Sequence, residues 1–358
     1  CDEAASSVAA SSIGVTHFLI PDGGFMLAAI DIHKAVFQAA VLDPQDGSLI
    51  ESRFKNTRAG LVAWVEEQDG KLEAVAIEAT TGWRWVAREL QQRGIEVRLA
   101  DAGPAAALQG TRKRPKNDRL DARWLVTLLA RDMLPESWLA PEDIQRLRDK
   151  TRLRKALADD HTRWAQRLHA VLVHEGWPCS RGSLLTAAGR RWVAAIRLHP
   201  EARGQIDAML TVMSTIAGQI ERIDEQLRAI GKSDVRLRKL QKIFGIGPIL
   251  AATILAEIGD ARRFRRARQV VRVAGLDPVV RDSADSQRRG HLAKQGAPNL
   301  RWALVEAAQH ACRKNSPDHE LYLKQRGHAG ANPATLTVAR KIGKRAFHVL
   351  RELEAQPA

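Results

Sequence analysis

The chain has 358 residues, of which 45% are hydrophobic, so it is long and apolar enough for two domains, and global disorder is excluded. A formal net charge of +15 predicts a polyanionic partner, with nucleic acid as the first candidate because each neutralised phosphate releases counterions. No apolar run approaches the roughly 20 residues needed to span a bilayer, and the three cysteines form no CxxC pair. We therefore expect no membrane partner, no zinc site and no disulfide framework, in a protein of a reducing cytoplasm.

Residues 1–25 differ in composition from the rest of the chain. They are small and polar and lack the basic segment of a secretory signal. We expect a disordered extension over 1–25, with Met26 as the functional start.

From Met26 the pattern alternates between strand and helix. Apolar runs at 27–32 and 35–42, followed by a turn signal at 43–47, predict two or three strands joined by hairpins, and later runs predict strands at 72–77 and 95–99. Helical patterns lie between and after these strands, at 57–69, at 83–93 and from Asp118 onward. Strands separated by helices predict an α/β domain over residues 26–140.

Four acidic residues occupy chemically informative positions in this domain. Asp31 lies inside the first strand and Glu78 ends a later one, while Asp118 and Asp121 are three apart on one helical face. A charge inside an apolar strand is costly unless it is paired or bound to a metal. Hard oxygen ligands suit Mg²⁺, and two such ions can act together on a phosphodiester. Any one of these acids alone is better explained as a solvated or helix-capping carboxylate, but that explanation is much weaker for all four in this order.

Residues 141–232 are basic and helical. A heptad pattern of apolar residues runs from Ile206 to Ile230. It fits either an antiparallel hairpin with the preceding helix or a coiled coil between chains. The residues alone do not separate these two arrangements.

The segment 233–358 begins with a possible phosphate-binding turn. Gly245 and Gly247 flank one apolar residue before Pro248, which resembles a helix-hairpin-helix turn whose N–H groups hold a phosphate. A tight interhelical turn without a ligand explains the same residues. A run of arginines follows and favours a surface that contacts a nucleic-acid backbone, although such a run is often only a solvated face: Arg262, Arg263, Arg265, Arg266 and Arg268.

Two groups of residues together resemble one known family. The first is Asp31 in Ala-Ile-Asp-Ile-His-Lys, Glu78 in Ile-Glu-Ala-Thr, and the Asp118/Asp121 pair after Lys116. The second runs from Gly-Leu-Asp-Pro at 275–278 through a serine to a spaced Gly-x-x-x-Lys-x-Gly at 290–296 and a Leu-Arg helix. The chain is similar to the DEDD transposases of the insertion-sequence one-hundred-and-ten family, which include the Piv DNA invertase.

The resemblance implies a ribonuclease-H-like and RuvC-like N-terminal domain over 26–140, a helical coiled-coil linker over 141–232 and a mainly α C-terminal transposase domain over 233–358. It implies that the four acids bind Mg²⁺ (or Mn²⁺) and that Ser283 is the nucleophile, with Ser286 as a second candidate because Ala284 replaces the family's glycine. The implied partners are double-stranded DNA and a structured guide RNA from the element. Because recombination needs at least two active sites, we also expect a homo-oligomer, a dimer or a tetramer. The residues predicted to contact nucleic acid are Lys116, Gly245, Gly247, Arg262, Arg263, Arg265, Arg266, Arg288, Arg289 and Lys294.

A serine nucleophile has a chemical reason. Strand exchange without an energy source must conserve the phosphodiester bond, and a covalent protein–DNA link does so by dividing one transfer into two. Two other functions fit the same residues: a RuvC-like metal-dependent nuclease, which needs only the acids, and a non-catalytic basic nucleic-acid-binding protein.

Overall fold

The computed structural model describes residues 25–43, 45–108, 118–179, 181–184, 186–283 and 286–355, and only the backbone at 118–120, 181, 183, 279–283 and 286–291. The predicted extension lies outside these residues except for Phe25, and so does Lys116. The chain divides after Leu139 into two compact units. Each unit is described by itself.

The first unit is built on a five-stranded sheet. Its order is β3-β2-β1-β4-β5, with β1 and β2 and then β2 and β3 antiparallel, and with β4 parallel to both β1 and β5. The strands are β1 Met26–Ile32, β2 Val36–Leu42, β3 Leu49–Lys55, β4 Leu72–Glu78 and β5 Glu96–Ala100. The predicted alternation of strands and helices is therefore confirmed, and the unit is consistent with a ribonuclease-H-like domain.

Helices cover both faces of this sheet, because the central strands are apolar on both sides. On one face Ile30 and Ile77 pack in a core with Trp64 and Leu90. On the other face alanines pack against the last helix, so that this helix lies close to the sheet. The helices are α1 Arg58–Glu66, α2 Trp83–Gln92, α3 Ala102–Ala107 and α4 Asp118–Ala130.

The second unit begins with two long helices. They are α5 Glu142–His174 and α8 Pro200–Ser233, with α6 Arg181–Leu184 and α7 Ala187–Ala195 between them. Arg154 of α5 forms an ion pair with Asp224 near the end of α8, and Leu168 packs in one core with Ile206 near its start. These contacts make α5 and α8 antiparallel neighbours within the chain. Pairing between chains stays a prediction.

The remaining elements pack on the same helical frame. They are α9 Val235–Leu240, α10 Pro248–Ile258, α11 Ala267–Val273, β6 Pro278–Ser283, β7 Ser286–Leu292, α12 Pro298–Gln309, α13 His319–Ala329 and α14 Ala331–Ala355. Every residue of α10 from 251 to 258 is buried. Arg152 of α5 donates two hydrogen bonds, each 2.9 Å, to the carboxylate of Glu257. The mostly helical character of this region is confirmed, while the predicted division between 232 and 233 stays a prediction. Among the described helices, none combines the length and apolar character that a membrane crossing requires.

Candidate active site and nucleic-acid interface

Asp31 and Glu78 lie at equivalent positions on two neighbouring parallel strands. Ile30 of β1 pairs with Ile77 of β4, so each acid is the next residue along its strand. The isoleucines belong to the core on one face of the sheet, and side chains alternate along a strand. Both acids therefore belong to the other face, the one that α4 covers.

Asp31 is almost fully buried, and its side chain is 9% exposed. It accepts a hydrogen bond from Nε2 of His33 over 2.9 Å, and Asn56 in turn donates to the His33 carbonyl over 2.6 Å. This contact offsets part of the cost of removing the carboxylate from water. His33 was missed as a site residue, although its position two residues after Asp31 is the spacing that returns a side chain to the same face.

Helix α4 brings the two aspartates to the same face of the sheet. Ala122, Leu125 and Val126 of α4 pack against the sheet's alanines. Asp121 is four residues before Leu125 and so begins the stripe that faces the sheet, and Asp118 precedes Ala122 by the same spacing. Asp121 is half-buried. For Asp118 the structure describes only the backbone.

The described part of this site consists of hard oxygen donors. Among the side chains described, no three from Asp, Glu, His and Cys form a group able to hold a metal ion. The Asp118 carboxylate falls outside that search, so the predicted four-acid set stays a prediction. Beside Glu78, the buried hydroxyl of Thr80 makes no hydrogen bond in the described structure. A buried polar atom without a partner is typical of a place where a bound ion or water completes the site.

In the second unit, the predicted phosphate-binding turn joins α9 to α10. Gly245 has a φ of +88°, and a Cβ there would lie 2.4 Å from the carbonyl oxygen of Ala307. Gly247 is the N-cap of α10, where an added Cβ would meet no atom within 4 Å. Packing thus explains the first glycine and leaves the second unexplained. Phosphate binding by this turn stays a prediction.

The arginine run after α10 divides into two groups. Arg262 forms an ion pair with Asp260, and Arg263 donates to the carbonyl of Ile258 and stacks on the ring of Phe264. Burial and the nearby charge of Arg148 lower the pKa of Arg263 to about 10. By contrast, exposed side chains at 265, 266 and 268 have no ion pair among the described residues. This second group is better placed for a nucleic-acid backbone.

The predicted nucleophile lies on a hairpin. β6 and β7 are antiparallel, and Ser283 is the direct partner of Ser286 at the end of the ladder. Both candidate serines therefore occupy the same end of the hairpin. Arg288 pairs with Arg281, and Arg289 pairs with Val280. The structure describes only the backbone of these residues.

Glycines at the base of this hairpin have a structural role. A Cβ on Gly275 would lie 2.6 Å from the carbonyl oxygen of Gln295, and one on Gly296 would lie 2.2 Å from that of Val273. Arg301 donates to the Ala274 carbonyl over 3.0 Å. Lys294, between these glycines, is exposed and has a φ of +52°. These contacts lock the hairpin base against α11.

Two family models match the chain. Residues 28–175 match a DEDD transposase model of the IS110 type, described as "Transposase". Residues 237–324 match a model described as "Transposase IS116/IS110/IS902 family".

Whole-chain relatives agree. A Pseudomonas aeruginosa protein named "Probable family 20 transposase" is 27% identical over 79% of this chain and 83% of its own length. The transposase for insertion sequence element IS1111A of Coxiella burnetii is 26% identical over 88% of this chain and 86% of its own length. The transposase for insertion sequence element IS1328 of Yersinia enterocolitica is 25% identical over 79% of this chain and 83% of its own length. The chain therefore belongs to the IS116/IS110/IS902 family of transposases, with a DEDD transposase domain followed by the family's second transposase domain.

Proposed function

We propose that this transposase, a DNA-acting enzyme, cuts and rejoins DNA strands with a divalent metal held by Asp31, Glu78, Asp118 and Asp121 and with Ser283 as the nucleophile. The observation that carries the proposal is the placement of Asp31 and Glu78 side by side on the sheet face that α4 covers. A buried carboxylate beside a second acid is costly unless a cation or donors compensate it.

The donors fit Mg²⁺ or Mn²⁺, because both accept carboxylate oxygens and Mg²⁺ needs only one or two of them from the protein. The unpartnered Thr80 hydroxyl beside Glu78 supports the same fit. When bound, the metal would act as a Lewis acid on a phosphodiester oxygen. The chain's own part is to hold the carboxylates: His33 fixes Asp31 through a hydrogen bond, and the alanines under α4 bring that helix close to the sheet.

In the serine step, Oγ of Ser283 attacks phosphorus, the ester bond to one DNA oxygen breaks, and a serine–phosphate ester forms. The serine proton goes to a base, and the leaving DNA oxygen gains a proton. A hydroxyl of the second DNA strand later reverses these events and frees the serine. The number of phosphate esters is unchanged, so joining needs no external energy source.

The proposed partners are double-stranded DNA at the element and target ends, a structured guide RNA and further copies of the chain in a dimer or tetramer. The net charge of +15 supports polyanionic partners. The heptad pattern from Ile206 to Ile230 supports self-association, because packing against α5 leaves part of it accessible: Ile216, Ile220 and Ile223 are only half-buried.

The experiment compares Asp31→Asn and Glu78→Gln with the control Glu73→Gln, an exposed acid on the same strand as Glu78. We expect the first two variants to lose strand cleavage and Mn²⁺ binding measured by calorimetry, with DNA affinity kept. The control should behave as the unmodified protein. Unchanged Mn²⁺ affinity in both site variants would contradict the metal assignment, and cleavage without metal would contradict the reaction. Cleavage that needs the acids but not Ser283 would identify a RuvC-like nuclease instead.

A further inference from the structure

A groove of about 950 Å³ lies in the second unit between α11 and the loop that follows β7. Gln269 and Arg272 come from α11, Asp277 precedes β6, and Gln295 comes from the loop after β7. A smaller recess of about 430 Å³ adjoins the same wall and adds Arg268. Of these five side chains, only Arg268 is named in the sequence analysis, as part of the arginine run.

Three arginines line the groove and its recess; Arg263 is used in folding, through its bond to the Ile258 carbonyl, whereas Arg268 and Arg272 are not. Arg268 and Arg272 are exposed, and neither forms an ion pair or hydrogen bond through its side chain among the described residues. They differ in this from Arg262, which is paired with Asp260. Two free guanidinium groups on one wall favour phosphate oxygens as ligands.

The other polar side chains of the groove do not fit a site that binds only phosphate. The Oε1 atom of Gln269 accepts the backbone N–H of Arg266 over 2.9 Å, so its amide nitrogen is left with two donors. The carboxylate of Asp277 only accepts hydrogen bonds and would repel a phosphate. Gln295 offers both a donor and an acceptor. Donors and acceptors set between guanidinium groups are the pattern that nucleobase edges require.

The size of the groove limits which form of nucleic acid fits. Its volume is near the upper end of small-molecule pockets, which span roughly 300–1,000 Å³. A volume of this size fits a few unpaired nucleotides better than a segment of duplex. Two backbone hydrogen bonds join its walls: the N–H of Ala293 donates to the Asp277 carbonyl over 2.8 Å, and the N–H of Lys294 donates to the Gly275 carbonyl over 3.2 Å. Walls joined in this way have less conformational entropy to lose when a strand binds.

We propose that this groove binds an unpaired nucleic-acid strand and reads its bases, with Asp277, Gln269 and Gln295 contacting base edges and Arg268 and Arg272 contacting phosphates. The proposal rests on the proposed function, because it takes nucleic acid as the substrate. It adds a specificity site that works through protein side chains and not through pairing with a guide strand.

The test measures binding of the full chain to pools of short single strands with randomised sequence, one pool of DNA and one of RNA, by anisotropy and by sequencing the bound fraction. The variants are Asp277→Asn and Gln295→Ala for base reading, and Arg272→Gln for phosphate contact. Gln269 is left intact because it also caps α11. Gln325→Ala and Arg326→Gln on α13 are the matched controls, and thermal unfolding verifies that each variant folds.

We expect Asp277→Asn and Gln295→Ala to change the preferred base at one position by roughly tenfold, with affinity for the mixed pool nearly kept. Arg272→Gln should weaken binding to all sequences and reduce the slope of log K against log salt by about 0.7. The pool with the stronger preference identifies the strand as DNA or RNA.

The proposal is overturned if neither pool binds, if base preference is the same in both base-reading variants as in the unmodified protein, or if the control variants change the base preference equally. Because strand binding needs no Ser283, the two proposals fail separately: the absence of a protein–DNA adduct on element-end DNA would count against the proposed function only, whereas loss of base preference in the pools would count against the groove only.

Discussion

The Nε2 atom of His33 lies 2.9 Å from Oδ2 of Asp31, so a partly exposed imidazole holds the carboxylate of a side chain that is 9% exposed. A hydrogen bond of this kind fixes the orientation of a buried acid. His33 is therefore a positioning residue for the acid site.

The first prediction concerns this contact. His33→Ala should lower the affinity for Mn²⁺ and the cleavage rate by roughly 10–100-fold, because the carboxylate loses the donor that orients it. His33→Gln should restore part of the loss, since its amide also donates. Lys34→Ala, at the exposed next residue, is the control. Equal Mn²⁺ affinity in His33→Ala and the control would refute the positioning role.

The second prediction separates two neighbouring arginines of the hairpin. In the backbone register, the Arg281–Arg288 pair is two positions from the Ser283–Ser286 pair, whereas the pair that contains Arg289 is three positions from it. Because successive positions of a strand alternate between its faces, we expect Arg281 and Arg288, and not Arg289, on the face of Ser283. Arginines near the attacking serine stabilise charge on the phosphate. Arg281→Gln and Arg288→Gln should each slow formation of the protein–DNA adduct by roughly 10–1000-fold. Arg289→Gln should leave its rate nearly unchanged, and a larger effect in Arg289→Gln than in the other two would be evidence against this use of the hairpin.

The third prediction uses the two glycines before α10. Gly245→Ala should destabilise the protein by roughly 1–3 kcal/mol or more, because the backbone has a positive φ and the new Cβ meets the Ala307 carbonyl. A Cβ at position 247 would meet no atom within 4 Å, so Gly247→Ala should have the same melting temperature as the unmodified protein. If the turn holds a phosphate, Gly247→Ala should nevertheless weaken DNA binding, as measured by anisotropy. Unchanged DNA affinity would leave the turn as a packing element only.

The fourth prediction is a dependence of stability on pH. Asp318, 3% exposed, accepts hydrogen bonds from Arg345 and Lys341, each over 2.9 Å. Burial alone would raise the pKa of Asp318, but these bonds outweigh it and hold the pKa below the usual 3.8. The stabilisation is therefore complete above the unfolded-state pKa and is lost as the pH falls through the lower folded-state value.

Asp318→Asn should cost roughly 1.5–3 kcal/mol in the free energy of unfolding at pH 7, and the difference from the unmodified protein should narrow below about pH 4. Urea unfolding at pH 7 and pH 3 measures it. Asp207→Asn removes an exposed pair with Arg203 and should cost less than about 1 kcal/mol. If the unfolding free energies of Asp318→Asn and the unmodified protein differ by the same amount at both pH values, the role of the Asp318 charge is contradicted.

The strands and helices of the first unit were predictable because their apolar runs are long and regular. The hairpin of β6 and β7 was not, since its polar strands lack the alternation that marks a half-buried sheet. The same limit applies to Arg263: the sequence alone treats it as one arginine of a surface run, whereas the end of α10 supplies carbonyls that bind it. The bond between Arg152 and Glu257, 105 residues apart, follows from tertiary packing that no local pattern encodes.

Placement of the site was predictable only in part. The strand positions of Asp31 and Glu78 follow from sequence, and the parallel register that makes them neighbours required the fold. The pairing of Ser283 with Ser286 likewise explains why the sequence leaves the choice between the two serines open.

The most direct test of the central claim is to look for a covalent bond between the chain and element-end DNA, with the element's RNA and Mg²⁺ present. Protein–DNA adducts are resolved on a denaturing gel, and mass spectrometry identifies the modified residue. We predict an adduct on Ser283 that persists in Ser286→Ala and is lost in Ser283→Ala, whose DNA affinity is kept. An adduct on Ser286 or on Tyr322, the only tyrosine of the chain, or strand exchange by Ser283→Ala, would contradict it.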